Sequence, residues 1–154
     1  MIAATGSVVA LAGCLGSDAS RDEWTADETL AVDHAVQYNA PNCSCCDEYA
    51  AYLDGHLEFE LATSDRDDIE SVKRERGVPS DLDSCHTVEI GDYVIEGHMP
   101  VEVITTVLDQ TPDIAGIALP GMPSGSPGMP GDKDGEWTVY AFDQDGVYER
   151  FLEL

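Results

Sequence analysis

Asn42-Cys43-Ser44-Cys45-Cys46-Asp47 stands between an apolar run, Val32 to Tyr38, and a helix-like run, Tyr49 to Leu57. Three thiols fall within four residues. Adjacent cysteines do not meet disulfide geometry without strain, so the three cannot all bridge one another. Dense thiols at a strand-to-helix turn point to soft-metal binding or thiol–disulfide chemistry. A helix start adds partial positive charge, which favours thiolate over thiol. The plainer reading is one structural disulfide with a spare cysteine, which leaves the third thiol without a purpose.

On the N-terminal side of this turn, the loose alternation of Val32 to Tyr38 predicts a strand near Asp33–Tyr38, broken at Ala40-Pro41-Asn42. On the C-terminal side, Tyr49, Tyr52, Leu53 and Leu57 share one helix face, with Gly55 as a cap near Asp54. Glu58 to Ala62 alternates as a second strand. Ser64 reads as the N-cap of a helix that buries Ile69 and Val72 and ends on Lys73, Arg74 and Arg76 before Gly77. Val78 to Ser84 reads as a loop. His86–Ile90 and Tyr93–Glu96 form a hairpin around Gly91-Asp92. Pro100 opens a third helix with Val101, Ile104, Val107 and Leu108 on its apolar face, ended near Pro112. The order β-α-β-α-β-β-α is that of an α/β, thioredoxin-like fold, because a crossover between parallel strands needs a helix. Gly116 to Gly131 carries two Gly-Met-Pro repeats and is expected to hold neither a helix nor a central strand. Trp137 to Phe142 and Val147 to Phe151 form a terminal hairpin, on the sheet edge or on the core. The expected division is a signal and acidic tether (1–28), a metal-binding domain (29–115), a Gly/Pro/Met-rich loop (116–136) and the hairpin (137–154).

Cys85 and His86 begin the first strand of the central hairpin, just after the second helix and its loop. In a thioredoxin-like fold that position lies beside the cysteine turn, where oxidoreductases carry a cis-proline; here the residues are Ser84-Cys85-His86. The loop is thus expected to bring a thiol and an imidazole towards Cys43, Cys45 and Cys46. His98 and Met99, where the hairpin enters the third helix, are expected at the same end. Thiolate and thioether ligands select soft ions, above all Cu(I), while mixed Cys/His sets also suit zinc. Met122 and Met129 lie in the Gly-Pro segment, whose neighbours form no regular packed element, and are candidate ligands that fold over the site; Met99 is balanced between ligand and core filler. His34 and His56 read as surface or structural.

Acidic residues outnumber basic ones 31 to 7, a net charge of -24 spread along the chain. That opposes binding to nucleic-acid phosphates. It suits a protein kept soluble at high salt and suggests a salt-loving source. Calcium binding is the rival reading of the acidity, but no Asp-x-Asp-x-Asp-Gly loop with a closing Glu is present. Near the start, Leu11-Ala12-Gly13-Cys14 resembles a lipobox, which implies cleavage before Cys14, a lipid on that cysteine and a membrane-anchored extracytoplasmic protein. No basic residue precedes the apolar run, so the natural start is expected further upstream. The competing reading is a buried N-terminal segment with a core cysteine.

Four motifs together resemble the DUF411 family of small exported, CopG-like metal-binding proteins. They are Cys43-Ser44-Cys45-Cys46, Ser84-Cys85-His86-Thr87, Tyr93 to Pro100, and Pro120 to Met129. Ser44 stands where the family usually has glycine. The resemblance spans about residues 33 to 131 and implies handling of copper or a related soft metal in resistance or delivery. The metal set expected is Cys43, Cys45, Cys46, Cys85, His86, His98, Met99, Met122 and Met129. The function expected is an extracytoplasmic Cu(I) carrier or scavenger, not an enzyme, that exchanges its ion with a copper-delivery or export partner protein. The alternatives are a thiol–disulfide oxidoreductase using Cys43 and Cys46 and a structural zinc domain.

Overall fold

A computed structural model describes residues 27–154; the lipobox around Cys14 and nearly all of the acidic tether lie outside them. The strands and helices are β1 (Ala35–Asn39), α1 (Ser44–Asp54), β2 (Ala62–Asp65), α2 (Ile69–Glu75), a 3-10 turn (Ser80–Leu82), β3 (His86–Ile90), β4 (Tyr93–Glu96), α3 (Val101–Gln110), β5 (Gly116–Ala118), β6 (Thr138–Phe142) and β7 (Tyr148–Glu153). The β-α-β-α-β-β-α order read from the sequence is present up to α3. All seven strands join one mixed sheet in the order β2-β1-β3-β4-β5-β6-β7. Strands β1 and β2 are parallel, as are β4 and β5, and the remaining neighbours are antiparallel.

Alternation decides which residues reach the larger core, since successive strand side chains face opposite sides of a sheet. Val88 and Ile90 of β3 join Tyr49 and Leu53 of α1 and Val101, Ile104 and Val107 of α3 in one cluster. A smaller cluster of Val78, Leu82, Val94, Ala115, Ala118 and Phe142 is separate from it. Helix α3 ends as its sequence requires: Thr111 adopts a left-handed conformation (φ 45°) and donates its N–H to the Val107 carbonyl, and Pro112 follows.

Four expectations are corrected. The second strand is Ala62–Asp65, not Glu58 to Ala62. Leu57, Phe59 and Leu61 do pack on the core, but from a connection tied down by the Leu61 N–H donating to Asp54 Oδ1 at 2.8 Å. The hydrogen-bonded strand beyond it is a polar edge strand, which leaves no apolar alternation to read. Ser64 therefore lies in β2, and the N-cap of α2 is Asp68, held by Arg66 through two bonds of 2.8 and 2.9 Å. Pro100 is the N-cap of α3 rather than its first helical residue.

The fourth correction matters most for the sheet. Gly116-Ile117-Ala118 is a buried strand between β4 and β6, within the segment expected to hold none. A Cβ on Gly116 would lie 2.1 Å from the Val94 carbonyl oxygen and 2.7 Å from Phe142 Cζ. The missing side chain is what allows the strand to enter. Through β5 the terminal hairpin continues the sheet, which answers where it sits: β6 and β7 form its far edge.

Candidate metal centre

The cysteine turn is built by the backbone between β1 and α1. Asn42 takes a left-handed conformation (φ 58°), which asparagine tolerates, and reverses the chain. Cys43 is then the N-cap of α1, and its carbonyl accepts the Cys46 and Asp47 N–H groups at 3.1 and 3.3 Å. This turn brings Cys43 and Cys46 into a disulfide. Bridged sulfurs at these two positions are the arrangement that the sequence reading set behind free thiols. Cys45 and Cys85 remain free.

Strand β3 supplies the other side. It pairs with β1 so that His86 faces Asn39, and the Ala40 N–H donates to the Cys85 carbonyl at 2.9 Å. Cys85, 42 positions after Cys43, thereby lies against the turn: its sulfur is 3.7 Å from that of Cys45, which is 3.4 Å from that of Cys43. The four sulfurs of Cys43, Cys45, Cys46 and Cys85 lie within 4.8 Å of one another. Cys85, His86 and His98 form a second such group, and Cys85 belongs to both.

The two imidazoles are oriented, and their orientation follows from what their other nitrogens do. His98 Nδ1 is 2.7 Å from the Pro127 carbonyl oxygen, and His86 Nε2 is 3.1 Å from that of Gly97. A carbonyl only accepts, so each of these nitrogens carries the proton. The bare lone pairs are then His98 Nε2, 3.4 Å from the Cys85 sulfur, and His86 Nδ1, 3.5 Å from it. Tyr49 stacks on His86 with ring centres 4.5 Å apart and meets His98 edge-on at 5.4 Å, which restrains both rings. Its hydroxyl donates to the Met99 carbonyl at 2.9 Å.

Protonation follows burial. Burial, then the neighbouring His98 and Lys73, lowers the pKa of His86 well below the usual imidazole value; burial also lowers that of His98. Burial and the nearby Cys45 push the Cys85 thiol up to about 12. Without metal the group is thus a protonated thiol facing neutral imidazoles. A sign follows for stability. Above the ordinary histidine value of 6.5 neither folded nor unfolded chain holds the extra proton. Below it only the unfolded chain takes it up, so folding weakens as pH falls. The metal-free protein is expected to lose up to about 1.4 kcal/mol per pH unit below that point through His86, with His98 acting in the same direction. Denaturant titrations at pH 7.5 and 5.5 check this, and an equal midpoint at both would refute it.

The remaining expected residues are placed as follows. Met99 is fully buried within the larger core cluster. Met122 is 38% exposed at a left-handed position (φ 45°). Met129 is half-buried, and the repeat containing it is pressed on the site helix: a Cβ on Gly128 would lie 2.7 Å from the Tyr49 backbone nitrogen. With Pro127 bonded to His98, this repeat forms one wall of the centre. His34 is exposed beside Asp33, and His56 Nδ1 bonds the Glu28 carbonyl, both as expected.

Sequence reasoning missed a buried charge pair. Lys73, read only as a last-turn cation suited to the helix dipole, is 3% exposed and paired with the fully buried Glu96. The signal was present: Lys73 follows Val72 and lies four residues after Ile69, on the buried stripe of α2.

A family model described as a protein of unknown function, DUF411, matches residues 82–129. No curated protein sequence matches significantly. Two solved structures, named copper resistance protein CopG, Forms 2 and 1, are similar to this chain. The first is 32% identical with a TM-score of 0.70, covering 79% of this chain and 97% of its own. The second is 31% identical with a TM-score of 0.68, covering 80% and 98%. Among the described residues, no helix is long and apolar enough to cross a membrane.

Proposed function

The chain belongs to the DUF411, CopG-like family, and from that membership and the donor geometry we propose that it binds copper as Cu(I) and carries or scavenges it. One observation bears most of this reading: two imidazoles, each with one nitrogen committed to a backbone carbonyl, present their free lone pairs to the Cys85 sulfur. Such carbonyl partners are what orient histidine ligands at metal sites. Around them stand thiols, which select soft ions. The likeness to proteins named for copper resistance favours copper over zinc. Cys43, Cys45, Cys46, Cys85, His86 and His98 form the donor set, with Met122 and Met129 as exchange ligands on the Gly-Met-Pro wall. The element order and the 2-1-3-4 strand succession support a thioredoxin-like scaffold. Leu11-Ala12-Gly13-Cys14 supports lipid anchoring outside the cytoplasm, and the acidic coat supports a saline setting.

Anaerobic titration of the reduced full chain with Cu(I), against a strong chromophoric chelator, tests the proposal. Tight uptake that the chelator reverses only in excess is expected. No competition at all ends it, and unfolding on metal removal with preference for Zn(II) would instead support the structural zinc reading.

The Cys43–Cys46 disulfide favours a second reading, a thiol–disulfide oxidoreductase. In that reaction a partner's dithiol gives two electrons to the bridge. The partner leaves as a disulfide, and Cys43 and Cys46 become thiols. Steady turnover of a dithiol or disulfide substrate by the metal-free chain would favour it over the carrier.

A further inference from the structure

Ser84 and Thr87 flank Cys85-His86, and both are tied to one carboxylate. Glu96 is fully buried at the end of β4, where its register partner across the hairpin is Thr87. Its Oε1 accepts the Ser84 backbone N–H at 2.6 Å and lies 2.7 Å from the Ser84 hydroxyl, whose single proton it shares with the His86 carbonyl at 3.0 Å. Its Oε2 accepts the Thr87 hydroxyl proton at 2.5 Å. Lys73 of α2 pairs with Oε1 and donates to the Thr87 hydroxyl oxygen at 3.1 Å. One carboxylate therefore gathers donors from α2, from the loop before β3 and from β3 itself.

We propose that Glu96 is a positioning residue for the metal centre: by holding Ser84 and Thr87 it fixes the backbone between them, and so sets the Cys85 sulfur among its donors. The proposal rests on the Cu(I)-binding reading above. A buried ion pair is weak evidence for stability, because apolar residues of equal volume serve as well. What apolar residues cannot do is accept several donors along four consecutive residues and hold a ligand to within a fraction of an ångström. The same strand end continues the task. The Gly97 carbonyl fixes the His86 tautomer, and His98 is itself a donor. Gly97 has φ +84°, and a Cβ there would lie 2.5 Å from the Leu119 carbonyl oxygen, so the backbone is held closely where it passes from clamp to ligand.

The experiment is a thermodynamic cycle on the reduced full chain. Glu96→Gln and Thr87→Val are each made in the native and the Cys85→Ser backgrounds, and Cu(I) affinity is read by chelator competition. Each variant is expected to weaken binding about 10- to 100-fold in the native background, the usual effect of removing a group that orients a ligand. In the Cys85→Ser background the effect is expected to shrink markedly, since of the two ligands between Ser84 and Thr87 the clamp then places only His86. Equal weakening in both backgrounds would show that Glu96 acts on the fold alone, and native affinity in both variants would show that it positions nothing; either overturns the proposal. Where Glu96→Gln does not fold, Thr87→Val decides, because it leaves the buried pair in place. A native chain that takes up no Cu(I) overturns this proposal together with the function it rests on, whereas an unaffected variant of a Cu(I)-binding chain overturns this one alone.

Discussion

Reducing the Cys43–Cys46 disulfide is expected to raise the affinity for Cu(I) by about four to six decades. In the bridged form these two sulfurs are bound to each other, so among the described residues the free thiols are Cys45 and Cys85. A structural zinc site with four Cys/His ligands is worth about 10–16 kcal/mol, or about 2.5–4 kcal/mol per ligand, which sets the scale for a thiol-rich site. At about 1.4 kcal/mol per decade, each ligand carries about two to three decades, and two ligands twice that. With the bridge in place the sulfurs of Cys43, Cys45, Cys46 and Cys85 already lie within 4.8 Å of one another, so opening it adds two thiols to that group. The measurement is a pair of chelator competitions, one on oxidised chain and one on chain reduced with a phosphine and then stripped of it anaerobically. Affinities within tenfold of each other would mean that Cys43 and Cys46 are not ligands and that their bridge is structural.

Replacing Cys85 by serine in the reduced chain is expected to weaken Cu(I) binding by about two to three decades, more than replacing His86 or His98. Cys85 is the one residue common to both donor groups, so its loss removes a ligand and also separates the thiols from the imidazoles. Its burial raises the thiol pKa to about 12, so binding must displace a proton there, and the native affinity falls with falling pH more steeply than that of the variant, whose remaining thiols still lose theirs. The side chain is half-buried and serine is close in volume, so the melting temperature should move little. Chelator competition at pH 6.5 and 7.5 reads both quantities. Native-like affinity in the variant would remove Cys85 from the centre.

Much of this was legible before any coordinates. The Gly91-Asp92 hairpin, the cysteine turn before α1 and the apolar stripe of α3 follow from local chemistry: backbone freedom at glycine, the break at Pro41, and a 3.6-residue period. The approach of Cys85 to the turn was legible too, because the order of elements leaves that strand end little choice. Strand β5 was not, since glycine reads as a breaker unless one knows that the Val94 carbonyl needs its space. Nor was β2, whose polar edge position shows no alternation.

Taken alone, the sequence determined most of the elements, β2 and β5 excepted, and which end of the sheet gathers the thiols and histidines, because periodicity, turns and element order are local or nearly so. Tertiary structure decided which sulfurs are bridged, which imidazole nitrogens are bare and which carboxylate lies under the Cys85 loop. Those depend on distances between groups far apart in the chain, such as Lys73 and Glu96, or Pro127 and His98, separated by 23 and 29 positions. Hydrogen bonds and metal ligation act over about 3 Å, and no pattern in one dimension encodes a separation that small between residues that distant.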